Sequence, residues 1–121
     1  MKRLKATILS LASAACILAM PLSSYAYNGN LTFTHGNNYS DETTGGKISS
    51  TATEDSMLIS VGIRYDSDSA PTTMYPGDVE YNTNYAEHYV DVSGRRGYSF
   101  CYYTVGNFNK VSKKWFAFDF S

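Results

Sequence analysis

Cysteine and histidine are both scarce in this chain, which contains two residues of each type. Cys16 lies in an N-terminal segment that we expect to be removed, so Cys101 has no partner for an internal disulfide bond. A small exported domain of this kind has to fold on its hydrophobic core alone. The aromatic strand around Cys101 predicts a buried side chain, with an intermolecular disulfide as the alternative. With only His35, His88 and Cys101 as nitrogen or sulfur ligands, a zinc site is not expected.

Long apolar runs are missing after residue 26, which excludes a transmembrane helix in that part of the chain. Before it, three basic residues within 2–5 precede an apolar run over 6–22, and small residues occupy positions 24 and 26. This pattern predicts a secretory signal peptide over 1–26, cleaved after Ala26, with an uncleaved membrane anchor as the alternative. We therefore expect a secreted protein with one domain, 27–121, of 95 residues.

Positive charge is also in short supply once the signal peptide is removed. Lys2, Arg3 and Lys5 leave with it, so seven basic residues face eleven acidic ones and the net charge is −4. Nucleic-acid binding depends on neutralising phosphates and is not expected. The acidic pairs resemble solvated turns more than a calcium loop, and we predict no metal and no cofactor. These pairs are Asp41–Glu42, Glu54–Asp55 and Asp66–Asp68.

Amphipathic helical segments are absent after the signal peptide, whereas strand patterns are frequent. Met57, Ile59, Val61, Ile63 and Tyr65 alternate with polar or small residues, which predicts a half-buried strand. Several such runs separated by turn signals predict an all-β fold, a small antiparallel β-sandwich of six or seven strands. A small barrel is the alternative.

The local patterns also place loops and turns. Residues 39–47 predict a mobile loop, 48–53 an edge strand, 54–56 a turn and 82–86 another turn-like stretch. Residues 66–78 predict the longest connection.

The C-terminal quarter predicts a core sheet. Residues 87–93 and 98–105, joined by Gly94-Arg95-Arg96-Gly97, predict a β-hairpin whose glycines adopt positive φ. A polar connector then leads to a terminal strand that we expect to bury Phe116, Phe118 and Phe120.

Aromatic residues are abundant, with ten tyrosines, six phenylalanines and one tryptophan after residue 26. A domain this small cannot bury all of its tyrosines, and exposed tyrosines bind sugars, peptides or wall polymers at low entropic cost. We predict an exposed platform, with an arginine pair at the hairpin tip that could bind a phosphate or carboxylate. The candidate ligand-binding residues are Tyr81, Tyr85, Tyr89, Tyr102, Tyr103, Arg95 and Arg96. The alternative is that tyrosine fills strand positions for its β propensity and that the arginines lie in a solvated turn.

Catalysis has weak support in the sequence. Cys101 and His88 would lie on adjacent hairpin strands, which permits a nucleophile–base pair, but no nucleophile motif surrounds the cysteine. We expect no enzymatic activity and no catalytic residues.

Several short motifs resemble the lactococcin-type bacteriocins. They are Phe33-x-His35-Gly36, Asn38-Tyr39, the Ser/Thr run over 49–53, Thr104-Val105-Gly106 and the aromatic C-terminus over 115–120. The chain departs from that family in lacking an early tryptophan, in its longer middle over 57–85, and in Cys101. The resemblance implies a secreted β-sandwich that acts on a cell-wall precursor.

Together these patterns predict a secreted, non-enzymatic binding protein acting at a cell surface, with a bacteriocin-like, antibacterial role as the sharpest version. Expected partners are a cell-wall precursor, a glycan or a surface protein. An adhesion module and a small secreted hydrolase are the alternatives, and no pattern indicates the oligomeric state.

Overall fold

Seven β-strands form the part of the chain that the computed structural model describes, residues 27–67, 69–112 and 115–121, and no helix occurs there. The strands are β1 (Leu31–Asn38), β2 (Thr43–Tyr65), β3 (Thr73–Pro76), β4 (Glu80–Asp91), β5 (Arg96–Val105), β6 (Phe108–Val111) and β7 (Phe116–Asp119). All pairings are antiparallel, so the predicted all-β class is confirmed. The predicted signal peptide, 1–26, with its cut after Ala26, lies outside the described residues.

The 23-residue strand β2 runs through the whole domain and organises it. Its first half pairs with β1 and β4, and its second half pairs with β3 and β5. The register with β4 shifts between Ser49 and Glu54, and such bulges bend a strand and increase its twist. The sheet therefore folds over itself. The first layer contains β1, the first half of β2 and β4, and the second contains the rest of β2 with β3, β5, β6 and β7.

The core lies between these two layers and is built by strict alternation. Met57, Ile59, Val61 and Ile63 are buried, as the sequence predicts, while Tyr65 at the strand end is half-buried. Cys101, Tyr103 and Val105 of β5 pair directly with Val61, Ile59 and Met57 and are buried with them. Ile48 and Phe33 pack against this group from the first layer, and the rings of Phe33 and Tyr103 lie 4.9 Å apart.

Three predictions within 39–56 (a loop, an edge strand and a turn) are wrong in whole or in part because β2 runs through 43–65, and only 39–42 of the predicted loop lie outside a strand. Gly45 and Gly46 are buried between β1 and β4 instead of lying in a mobile loop, and 48–53 belong to a central strand instead of an edge strand. Glu54 is buried within β2, so 54–56 do not form a turn. Residues 82–86 lie in β4, and β3 lies within the predicted 66–78 connection. In each case strand partners distant in sequence override the local turn preference.

The predicted hairpin between β4 and β5 is also wrong. Each of these strands pairs with β2, and their connection carries the chain from the first layer to the second. Gly94 has a positive φ of 72° at this connection, as predicted. Gly97 has no positive φ and lies buried in β5, where an added Cβ would collide with the backbone of Arg64 and Tyr65.

The C-terminal segment lies along the edge of β5 that does not face β2. β6, which falls within the predicted polar connector, pairs with one end of β5, and β7 pairs with the other. Of the three phenylalanines expected in the core, Phe118 is buried and Phe120 is half-buried. Phe116 is 41% exposed because β7 is a short outermost strand; its ring lies 5.2 Å from that of His35.

Candidate functional site

The outer side of the second layer carries a continuous set of apolar and aromatic side chains. Tyr98, Phe100 and Tyr102 alternate along β5 with the core residues Ser99, Cys101 and Tyr103, so they point away from the core. Strand register places neighbours from β2, β3 and β6 in the same rows. We call this surface the aromatic face and define it by Arg64, Met74, Tyr98, Phe100, Tyr102, Val111 and Trp115.

An arginine–tryptophan stack lies at one end of the aromatic face. The guanidinium carbon of Arg64 lies 3.5 Å from the centroid of the Trp115 ring and 6.0 Å from that of Tyr98. Phe100 meets Trp115 edge to face, with centroids 4.8 Å apart. Cation–π and edge-to-face contacts hold both rings in one orientation, which lowers the entropic cost of binding a ligand there.

The aromatic face is half-buried at its centre and exposed to solvent around it. Phe100 lies directly opposite Gly62 and covers it, so that a Cβ at position 62 would collide with the ring. Beyond Gly62 in the same row is Met74, and Tyr102 pairs with Val111 in the next row. Met74 and Val111 are each 45% exposed and Tyr102 is 37% exposed. Contiguous exposed apolar surface of this kind often marks an interaction site.

The predicted tyrosine platform is not a single surface. Tyr85 and Tyr89 pair with Ser49 and Gly45, next to the buried positions 48 and 44, so they lie on the outer side of the first layer. Tyr102 lies on the opposite side of the domain, on the aromatic face. Tyr103 is 2% exposed, so the prediction that it belongs to an exposed tyrosine platform is wrong.

The outer side of the first layer is more polar than the aromatic face. Tyr85 donates a 2.6 Å hydrogen bond to Glu87, which raises the pKa of Tyr85 to about 12. Burial raises the pKa of Tyr89. Tyr81 is 70% exposed but pairs with Ser56, beyond the bulge, so it does not share this surface with Tyr85 and Tyr89. Because the tyrosines here stand among polar side chains, they form no apolar surface comparable to the aromatic face.

The two arginines predicted at the hairpin tip lie where the chain enters β5. The guanidinium carbon of Arg95 is 3.7 Å from the centroid of the Tyr65 ring, and its backbone carbonyl accepts a hydrogen bond from the amide of Phe120. Arg96 is exposed at the first position of β5. Arg95 thus stacks on an aromatic ring, and anion binding by this pair stays a prediction.

Contrary to the sequence prediction, His88 and Cys101 do not lie on adjacent strands, because β4 and β5 each pair with β2 and not with each other. The His88 imidazole lies 3.1 Å from the carbonyl oxygen of Tyr75 in β3. Burial raises the pKa of the Cys101 thiol to about 12. A thiol is a nucleophile only as the thiolate, and this one stays protonated at neutral pH.

A buried polar cluster between the layers has no counterpart in the sequence predictions. His35 Nε2 lies 2.9 Å from Ser99 Oγ, which in turn lies 2.7 Å from Thr44 Oγ1. Ser99 and Thr44 are fully buried, and burial lowers the pKa of His35 below 6.5. These residues come from three strands, and Ser99 is 55 positions from Thr44 and 64 from His35, so only the packing of the two layers brings them together.

We expect acid to destabilise the domain through His35. Because the pKa of His35 is lower in the folded state than the unfolded value of 6.5, its contribution to stability is complete above pH 6.5 and is lost as pH falls through the folded pKa. The urea concentration at the midpoint of unfolding should decrease as the pH is lowered from 8 to 5. His35→Gln should flatten that slope relative to the wild-type chain. An unchanged slope in His35→Gln would contradict this role.

The part of the chain that the structure describes has neither a metal-binding cluster nor a membrane-spanning helix. Within it, no group of three or more His, Cys, Asp or Glu side chains is arranged to hold a metal ion. The same residues contain no helix long and apolar enough to cross a membrane.

Two features of this site escaped the sequence reasoning. The Arg64–Trp115 stack and the cover of Phe100 over Gly62 both require the pairing of β2 with β5 and its neighbours. The sequence signal for this face was the alternation that places Tyr98, Phe100 and Tyr102 on one side of β5.

The chain was compared with models of protein families, with curated proteins and with solved structures, and it matches none of them.

Proposed function

We propose that this protein is a secreted, non-enzymatic binding protein that acts at a cell surface through its aromatic face. The most specific version of this proposal is a bacteriocin-like, antibacterial role in which the ligand is a cell-wall precursor. The resemblance of Phe33-x-His35-Gly36 and of the aromatic C-terminus to the lactococcin-type bacteriocins supports that form.

The observation that carries the proposal is the exposed aromatic face itself. A soluble domain that leaves Tyr102, Met74 and Val111 exposed beside a fixed Arg64–Trp115 stack presents the features of an interaction site. Rigid aromatic rings bind the apolar faces of sugars and peptide side chains at low entropic cost. Cell-wall precursors contain both sugars and peptide side chains, so the aromatic face is suited to binding this class of ligand.

The chain offers an intrinsic probe for this binding. Trp115 is its only tryptophan and lies in the aromatic face, so ligand bound there should change its fluorescence directly. The chain 27–121 would be titrated with vesicles containing a lipid-linked wall precursor, and with the same vesicles without it. We expect saturable fluorescence change with the precursor only.

Matched tyrosine variants on opposite sides of the domain test the location. Tyr102→Ala should weaken binding about 5–30-fold, the range of a central contact residue. Tyr85→Ala, on the outer side of the first layer, should leave binding unchanged. An equal loss of binding affinity in both variants, or no loss in Tyr102→Ala, would show that the aromatic face is not the binding site. Binding to intact cell walls without binding to the precursor would favour the adhesion module. Growth inhibition by the purified chain would distinguish an antibacterial role from binding alone.

A further inference from the structure

The first residues of the described chain are bound closely to the bulged part of β2. The backbone amides of Asn28 and Gly29 donate hydrogen bonds of 2.6 and 2.8 Å to the two carboxylate oxygens of Glu54. The Asn28 side chain donates to the carbonyl oxygen of Thr53 at 2.9 Å, and the amide of Asn30 donates to Thr51 Oγ1 at 2.8 Å. This segment is therefore bound by one short stretch of β2.

Glu54 is an unusual residue for the interior of a strand, because it is an acidic residue that is only 1% exposed. Its third donor is Ser50 Oγ at 2.6 Å. Within the described residues, every donor to this carboxylate is a neutral amide or hydroxyl group. Burying a carboxylate costs free energy unless hydrogen bonds and a cation compensate for the lost hydration.

The fit of the N-terminal segment is close on both sides of Glu54. A Cβ at Gly29 would lie 2.5 Å from the amide nitrogen of Ala52 and 2.6 Å from Ser50 Oγ, so only glycine fits there. The Tyr27 ring packs edge to face on Phe108 of β6, with centroids 5.0 Å apart. Tyr27 is thus held next to the carboxylate.

We propose that Glu54 is the binding site for the amino-terminal ammonium group that forms when the chain is cut after Ala26. The inference rests on the cut predicted from the sequence and is independent of the aromatic face. The amide of Asn28 already donates to this carboxylate, and consecutive Cα atoms are about 3.8 Å apart, so the backbone nitrogen of Tyr27 lies one residue from a group that Glu54 binds.

The covalent step supplies the missing charge. A peptidase of the export pathway adds water across the Ala26–Tyr27 peptide bond, which leaves a carboxylate on Ala26 and an amine on Tyr27. That amine takes up a proton at neutral pH and becomes an ammonium group, whereas the uncut chain has a neutral peptide nitrogen there. The ammonium group provides a cation beside the buried carboxylate. Removal of the signal peptide thereby stabilises the folded domain, and the precursor stays easier to unfold during export.

Three forms of the domain test this inference, and each contains the seven strands that the described residues form, which lie within 27–121. The first begins with a free amine at Tyr27, the second is the same chain acetylated on that amine, and the third retains residues 24–26. The free-amine form should melt about 4 °C or more above the other two. In Glu54→Gln, the three forms should melt at the same temperature.

Each result decides the question. Equal melting temperatures of the free-amine and acetylated forms in the wild-type sequence would overturn the proposal, and this comparison stands even if Glu54→Gln does not fold. A difference that persists in Glu54→Gln would show that another group binds the ammonium and would also overturn it. Neither outcome depends on ligand binding by the aromatic face.

Discussion

Replacing Gly46 with valine is expected to destabilise the folded domain by about 3 kcal/mol or more, the upper end of the usual cost of overpacking. A Cβ at this position would lie 2.6 Å from the carbonyl oxygen of Thr34, 2.9 Å from the hydroxyl of Tyr103 and 3.0 Å from Cys101 Sγ. The carbonyl belongs to the paired strand β1 and cannot move without breaking the sheet. Chemical denaturation followed by circular dichroism measures the effect.

Gly36→Val is the matched control for this change. Gly36 pairs with Gly45 in the same two strands, and a Cβ there meets no atom within 4 Å. Its substitution should change stability by no more than about 0.5 kcal/mol. If Gly46→Val and Gly36→Val changed the free energy of unfolding by similar amounts, the close contacts around Gly46 would not exist.

Tyr103→Ala is expected to cost about 3–5 kcal/mol, the range for a large aromatic side chain removed from a core. The side chain is fully packed between the layers, and its hydroxyl donates a 2.8 Å hydrogen bond to the carbonyl oxygen of Thr34. A small domain has a total stability of about 5–15 kcal/mol, so this variant should be only marginally folded. Urea unfolding at neutral pH is the measurement.

Two companion variants separate packing from hydrogen bonding and from exposure. Tyr103→Phe keeps the ring and removes the hydroxyl, and it should cost about 1 kcal/mol. Tyr102→Ala, one residue earlier and pointing outward, should cost much less than Tyr103→Ala. If Tyr102→Ala were the more damaging of the two, the assignment of the inner and outer sides of β5 would be reversed.

These variants also separate stability from the proposed binding. Tyr102 and its neighbours on the aromatic face contribute little to the core, whereas Tyr103 and Cys101 contribute nothing to the surface. A binding defect in Tyr102→Ala with normal unfolding would therefore report on the ligand site. A defect in Tyr103→Ala would report on folding.

The candidate site was predictable from the sequence only in part. The alternation in β5 was visible, and it correctly placed Cys101 in the core, but exposed tyrosines were then combined from both sides of the domain. Tyr85 and Tyr102 are equivalent in a list of aromatic residues; they differ only in which layer their strand joins. Arg64 is one of the polar residues that alternate with the buried side of 57–65, and its contact with Trp115 depends on β2, β5 and β7 lying side by side.

The sequence by itself determined the all-β class, the buried side of 57–65 and the burial of Cys101, because alternation with a period of two is a local property of a strand. Tertiary structure alone decided the length of β2, the pairing of β4 and β5 with it instead of with each other, and the buried positions of Gly46 and Glu54. The segments 43–47 and 54–56 carry turn residues, and locally they favour loops. In the folded domain, strands from distant parts of the chain pair on both sides of Gly46, and the N-terminal segment binds Glu54. The hydrogen bonds and packing of these long-range partners outweigh the local preference, and no stretch of sequence contains that information on its own.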